Sequence, residues 1–160
     1  MKKSITFAGG CFWGVQAYFD SLPGVLKTTV GYANGTKEQV TYEEVCSGNT
    51  GFVEACQISF DENQITLEQL LQKYWKIIDP TLKNRQGNDF GPQYRTGIYY
   101  NLEDEEEIGT ILQQSRDEIA KKNSKPIMTE IKPLEIYLLA EERHQKYLEK
   151  NPNGYCHIKW

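Results

Sequence analysis

Two hydrophobic rhythms alternate along the chain from its first residues. Ser4 to Ala8 carries Ile5 and Phe7 on every second position and predicts a strand running into Gly9-Gly10. Phe12, Val15, Gln16, Tyr18 and Phe19 then fall near helical spacing, and Pro23-Gly24 ends that helix. Val25 to Tyr32 reads as a second strand, closed by the Asn34-Gly35 turn. Thr41 to Glu44 has the form of a capping box for a short helix that stops at Gly48.

The clearest strand runs from Phe52 to Phe60, where Phe52, Glu54, Cys56, Ile58 and Phe60 share one face. Thr66 and Gln69 cap a strong helix whose apolar positions 67, 70, 71, 74, 77 and 78 form a wide stripe, ending at Asp79-Pro80. A glycine-punctuated loop reaches about Tyr94, and Arg95 to Tyr100 suggests a strand. Leu102, Ile108, Ile111, Leu112 and Ile119 mark a long amphipathic helix. Short strands are expected at Ile127 to Ile131 and at Leu134 to Leu139, and a final helix around Glu141 to Lys150. Asn151 to Gly154 has the composition of an exposed, flexible segment. Strands and helices interleave without the long regular alternation of a doubly wound sheet. The expected fold is α+β, a two-layer sandwich of a mixed β-sheet with helices mainly on one side and a ferredoxin-like core. It is expected as one catalytic domain, 1–160, with a flexible tail from about residue 151.

Composition narrows the function classes. At 160 residues, 39% hydrophobic and 25% charged, the chain can bury a sizeable core without disulfide staples. A net charge of −4 with no basic stripe argues against nucleic acid as a partner. The acidic run Glu103 to Glu107 reads as a solvated helix start, with Lys121 and Lys122 complementing the far end. No apolar stretch approaches a membrane span. Met1-Lys2-Lys3 before Ile5 to Ala8 and Gly-Gly-Cys has the outline of a lipoprotein signal, but its apolar run is too short. A cytoplasmic protein is expected, and nothing argues against a monomer. The cysteines at 11, 46, 56 and 156 form no Cys-x-x-Cys pair and do not cluster with His144 or His157, so no metal site is expected.

The most informative stretch is Gly9-Gly-Cys-Phe-Trp-Gly14. A thiol opening a helix faces unpaired backbone N–H groups and the positive end of the helix dipole, a field that favours the nucleophilic thiolate. Phe12 and Trp13 could wall a small apolar pocket, and the flanking glycines permit close approach. A buried structural cysteine at a strand–helix junction fits the same spacing. Glu54 shares a face with an apolar stripe, which desolvates its carboxyl and raises its pKa toward that of a general acid; a bulge or an exposed edge would leave it in solvent. Tyr42 and Tyr94 stand out by position, and residues 85–95 have the polar, turn-rich composition of a binding loop. Cys156 is either a resolving thiol for an oxidised Cys11 or an incidental cysteine. Cys46 and Cys56 read as small buried hydrophobes, and His144 as a surface or satisfied core histidine.

Taken together these residues resemble the A-type peptide methionine sulfoxide reductases over essentially the whole chain. The matches are Gly10 to Gly14, Tyr42 with Glu-Val-Cys-Ser-Gly48, Thr50-Gly51 with Glu54, Asp79-Pro80, Arg85 to Asp89, Gln93-Tyr94-Arg95, His144-Gln145 and Asn151 to Cys156. The resemblance implies that Cys11 attacks the sulfoxide sulfur and becomes a sulfenic acid, while Glu54 protonates the oxygen and Tyr42 and Tyr94 hold it. It implies a methyl pocket of Phe12 and Trp13, an orienting role for Asp89, and a Cys11–Cys156 disulfide reduced by external thioredoxin, with no bound cofactor. The implied substrate is methionine S-sulfoxide, free or in peptides and proteins.

Two departures stand out. Many members of that family carry His-Ala-Glu where this chain has Phe52-Val-Glu54, which predicts a drier site and a more strongly neutral carboxyl. The chain also ends at Trp160 without the further downstream cysteine some members use. Two other classes predict different things. An acyl-transfer cysteine enzyme needs a histidine base beside Cys11. A non-catalytic binding module would have an unreactive Cys11.

Overall fold

The computed structural model describes residues 2–158. In chain order the elements begin with β1 (Lys2–Gly9), α1 (Phe12–Asp20), β2 (Val25–Ala33), α2 (Tyr42–Cys46), β3 (Val53–Asp61) and α3 (Leu67–Ile77). The two-residue strands β4 (Arg85–Gln86) and β5 (Asp89–Phe90) follow, then β6 (Thr96–Tyr100) and α4 (Glu105–Lys121). The chain closes with β7 (Glu130–Pro133), β8 (Tyr137–Leu139) and α5 (Tyr147–Lys150). Six strands form one sheet in the order β7-β6-β1-β3-β2-β8. All neighbours run antiparallel except β6 and β7, so the sheet is mixed and the class is α+β. β4 and β5 make a separate ribbon inside the glycine-punctuated loop.

The stripes read from the sequence meet on one face of this sheet. Ile5 and Phe7 of β1 and Cys56 and Ile58 of β3 join Val15 and Phe19 of α1, Leu70 and Tyr74 of α3 and Leu112 of α4 in one buried cluster. The Phe7 ring lies 5.1 Å from Phe19 and 4.5 Å from Tyr74, both stacked. The Tyr74 hydroxyl donates to the Ala8 carbonyl at 2.6 Å, so a buried polar atom ties α3 to β1. Ala8, Ala33, Val53, Ala55 and Tyr99 form a second cluster with Leu134 and Tyr137 against it. β3 is therefore covered on both sides at the end that carries Glu54.

Both capping boxes form, at Thr41–Glu44 and at Thr66–Gln69. The expected strand at 127–131 sits two to three residues later, at Glu130–Pro133. The single helix expected over 141–150 is instead a 3-10 turn at Glu142–His144 followed by α5. Tertiary bonds pull the chain out of the helix between them. Gln145 grips the Val30 backbone with its amide oxygen at 2.9 Å and nitrogen at 2.8 Å. Lys146 takes a left-handed φ of 57° and gives its N–H to the Gln16 side chain at 2.8 Å. No helix among the described residues is long and apolar enough to cross a membrane.

Candidate active site

β1 delivers the chain through Gly10, at φ +85°, to Cys11, which is the N-cap residue of α1. The thiol is 6% exposed. Burial, first, and the Glu54 carboxylate, second, push its pKa well above the ordinary thiol value, while the Trp13 backbone N–H pulls the other way. The helix-end field is thus present but outweighed by desolvation. The free site holds Cys11 as a thiol, not the thiolate the sequence position predicts.

Glu54 pairs with Tyr32 across β2 and β3 and is 1% exposed. Its Oε1 accepts the N–H of Phe12, the first residue of α1, at 3.2 Å, and its Oε2 is buried without a hydrogen-bond partner. Burial pushes the carboxyl up to about 8; the Phe12 N–H opposes this and the charge of Asp89 adds to it. A neutral carboxyl at physiological pH is a proton donor, and the expected direction of its shift holds. Phe52 is also buried, with its ring over Gly35, where an added Cβ would lie 2.1 Å from the ring carbons.

Tyr42 opens α2, and Tyr94 ends a 3-10 turn, Pro92–Tyr94, that follows β5. Burial raises the pKa of both phenols, and after burial the largest influence on each is Glu54. Tyr94 also feels Cys11 and Asp89, and Tyr42 feels Tyr94. Cys11, Glu54, Tyr42, Tyr94 and Asp89 therefore share one electrostatic neighbourhood, with both hydroxyls protonated. Glu141 fixes Tyr42 from behind: its Oε2 accepts the Tyr42 N–H at 3.0 Å and its Oε1 accepts the Tyr32 hydroxyl at 2.6 Å.

Phe12 is fully buried among the rings of Tyr32, Tyr42 and His144. Trp13 stacks on Tyr147 at 3.7 Å and donates from its indole N–H to His144 Nδ1 at 3.0 Å. A cavity of about 490 Å³ opens beside this cluster, bounded by Trp13, Tyr42, Cys46, Arg143 and His144. A larger one of about 780 Å³ lies between α1 and the C-terminal segment, with Trp13, Tyr147, Cys156 and Ile158 on its walls. Neither cavity touches Cys11 or Glu54, and Phe12 lines neither; Trp13 and Tyr147 line both.

After α5 the chain folds back over this site. Asn151 to Asn153 are exposed, but Ile158 is buried in the main core. A Cβ on Gly14 would lie 2.8 Å from Cys156 Sγ, and one on Gly10 would lie 2.7 Å from His157 Nε2. The two glycines that bracket Cys11 thus accommodate the chain's own tail. Tyr155 donates its hydroxyl to Asp89 Oδ2 at 3.1 Å. Cys11 and Cys156 are both free thiols.

Several neighbours lay outside the sequence reading. His144 is 3% exposed, with Nε2 buried and unpartnered, so it is neither a surface nor a fully satisfied histidine. Cys46 is exposed rather than buried, and its thiol is hydrogen-bonded with Tyr42. Cys56 is fully buried as expected. His157 and Glu141 carried no motif signal, and Tyr155 entered only as part of the Asn151 to Cys156 match, because their roles depend on the tail and the 134–147 segment returning to the sheet. Among the described residues, no group of three or more His, Cys, Asp or Glu side chains is arranged to hold a metal ion.

Neither His144, bonded to Trp13, nor His157, bonded to Gly9, is hydrogen-bonded to Cys11, which leaves a hydrolase without its base. A buried thiol beside a neutral carboxyl, with a second free thiol packed one turn away, defines an oxidoreductase. The family model of peptide methionine sulfoxide reductase matches residues 3–160, and the chain belongs to that family. It is 62% identical over 156 residues to a peptide methionine sulfoxide reductase MsrA of Clostridium acetobutylicum, covering 98% of this chain and 94% of that one. A Clostridium botulinum protein of the same name is 59% identical, covering 98% of each. Among solved structures, reduced Mxr1 of Saccharomyces cerevisiae aligns with a TM-score of 0.87 at 37% identity, over 98% of this chain and 89% of that one. Methionine sulfoxide reductase A of Corynebacterium diphtheriae aligns with a TM-score of 0.87 at 35% identity, over 99% and 84%. Mxr1 has also been solved in complex with Trx2.

Proposed function

We propose that this enzyme reduces methionine S-sulfoxide, free or within peptides and proteins, through a Cys11 sulfenic acid. The observation that carries this is Glu54, held protonated near neutral pH beside a buried thiol that it strongly influences. In a site this dry, separated charges are costly, so the proton should travel with the electrons. The Cys11 sulfur attacks the sulfoxide sulfur as Glu54 gives its proton to the sulfoxide oxygen, and the thiol proton reloads Glu54. The new sulfur–sulfur bond and the substrate's sulfur–oxygen bond then break as the hydroxyl bonds to the Cys11 sulfur, and methionine leaves as the thioether. Tyr42 and Tyr94, protonated and close to Glu54, donate to the oxygen. Phe12 and Trp13 receive the methyl group and Asp89 orients the substrate. Positioned proton transfer of this kind is worth about 10²–10⁴-fold.

Cys156 resolves the sulfenic acid as a Cys11–Cys156 disulfide. Thioredoxin is the reductant, a reading supported by the Mxr1–Trx2 complex of a relative. All electrons come from thiols, so no bound cofactor is assigned. A cytoplasmic monomer fits this chemistry, since the cytosol keeps thiols reduced. We read the chain as one domain, its inner strands β6-β1-β3-β2 joined by α1 and α3 in a ferredoxin-like arrangement, with the segment from about 151 carrying the resolving cysteine.

The test mixes reduced protein with each methionine sulfoxide epimer and no thioredoxin. The S epimer should yield one methionine per chain, with two thiols lost and a Cys11–Cys156 cross-link seen by peptide mass spectrometry. Methionine formed equally from the R epimer, or a cross-link elsewhere, refutes the reading.

A further inference from the structure

The residue after the resolving cysteine is bonded to the backbone just ahead of the reactive one. His157 Nε2 lies 2.7 Å from the Gly9 carbonyl oxygen, and since a carbonyl only accepts, Nε2 carries the proton and donates. The side chain is 4% exposed. Its ring fills the space a side chain would occupy at Gly10, and its Cβ rests 3.4 Å from the position of a Cβ on Gly87. The other nitrogen, Nδ1, is buried without a hydrogen-bond partner, 3.9 Å from Asp89 Oδ2. Nothing in the proposed reduction of the sulfoxide uses this imidazole.

We propose that His157 is a positioning residue for the resolving step, pinning the tail so that Cys156 stays against Gly14 and within reach of Cys11. This rests on the function proposed above. Residues 151–157 form no helix or strand, so Cys156 is placed by its own packing on the core and by the anchors that flank it. On one side Tyr155 bonds Asp89, but Tyr155 is 42% exposed, and Asp89 is engaged by substrate during the reaction. On the other side His157 bonds a main-chain carbonyl that substrate does not claim. That anchor therefore persists through the cycle, and Ile158, buried beyond it, keeps it seated. When Cys11 is a sulfenic acid, the Cys156 sulfur attacks the Cys11 sulfur and the sulfur–oxygen bond breaks. The hydroxyl takes the Cys156 proton and leaves as water. Cys156 is oxidised and the sulfenic sulfur reduced, with no outside reagent. The rate of this step depends on how often the two sulfurs meet, which is what pinning controls.

The experiment compares wild type, His157→Ala and His157→Gln in single turnover with methionine S-sulfoxide. Methionine release and disulfide formation are timed separately, and sulfenic acid is trapped with dimedone. His157→Ala should release methionine at the wild-type rate but form the disulfide roughly tenfold more slowly, the scale of one lost buried hydrogen bond, with trapped sulfenic acid accumulating. His157→Gln places an amide N–H where Nε2 stood and should restore the fast step. Disulfide formation at the wild-type rate in His157→Ala overturns the proposal. So does a loss of methionine release that parallels the loss of disulfide, or a failure of Gln to rescue. Wild type releasing no methionine would instead overturn the proposed function, a distinguishable result.

Discussion

Glu54→Gln should make the protein more stable and much less active, and both effects follow from one buried carboxyl. In the folded chain its pKa is raised from 4.5 to about 8. An acid whose folded pKa lies above its unfolded one contributes stability that is fully present below the unfolded value and lost as pH rises through the folded one. At pH 7 the unfolded chain has released this proton while the folded chain has kept it, a penalty of about 3 kcal/mol, approaching 5 kcal/mol above pH 8. Glutamine removes the penalty. Its Oε1 can still accept the Phe12 N–H, and its amide nitrogen replaces Oε2, which already lacks a partner. The amide carries one more donor hydrogen than the protonated carboxyl, at an atom that already lacks a partner, which gives back part of the gain. It also removes the carboxyl proton that the proposed step hands to the sulfoxide oxygen, so the first-turnover rate of methionine release should fall about 10²–10⁴-fold. Urea unfolding at pH 5, 7 and 8.5, beside single-turnover kinetics, gives both readings. A stability gain that does not grow between pH 5 and 8.5, or a rate within a few-fold of wild type, refutes the reasoning.

Phe52→His puts a polar ring on the strand face of Glu54 and should lower the carboxyl pKa, moving the alkaline fall of activity to lower pH; an unmoved pH profile shows that Phe52 does not set that pKa. Gly14→Ala removes a helix-interior glycine, worth about 1 kcal/mol of helix propensity, but places a methyl group where Cys156 Sγ packs. Disulfide formation in quenched time courses should slow while methionine release persists, and equal slowing of both would contradict the packing. Cys156→Ser should release one methionine per chain and then stall with thioredoxin present; sustained wild-type turnover would show another route back to the thiol.

The pattern of side chains carried the strands β1, β2, β3 and β6, both capped helices and the reactive motif, because each is a local decision. Alternation at Phe52 to Phe60 assigns Glu54 to the buried face wherever that face is buried. A capping box at Thr41 starts a helix with little help from its surroundings. Local rules failed where distant bonds outvoted them. Residues 141–150 read as one helix, yet Gln145 is held by Val30 and Lys146 by Gln16, and two bonds to the Val30 backbone outweigh the propensity of one short helix. Cys46 sits at an apolar-looking position of α2, yet that helix turns it outward beside Tyr42.

Cys11 shows the division most clearly. Its neighbours in the chain decide that it begins a helix, and that two aromatic residues and a glycine follow. They do not decide its protonation, because the field of one helix end is weaker than the loss of water around a nearly buried sulfur. Burial comes with β3, the 85–95 loop and the returning tail, which bring Glu54, Asp89 and Cys156 around it from far along the chain. The same return places Cys156 against Gly14 and His157 against Gly9, through contacts that no periodicity records. Residue order was enough for the elements and the reactive groups; only packing across the sheet could set which groups stay neutral and which meet.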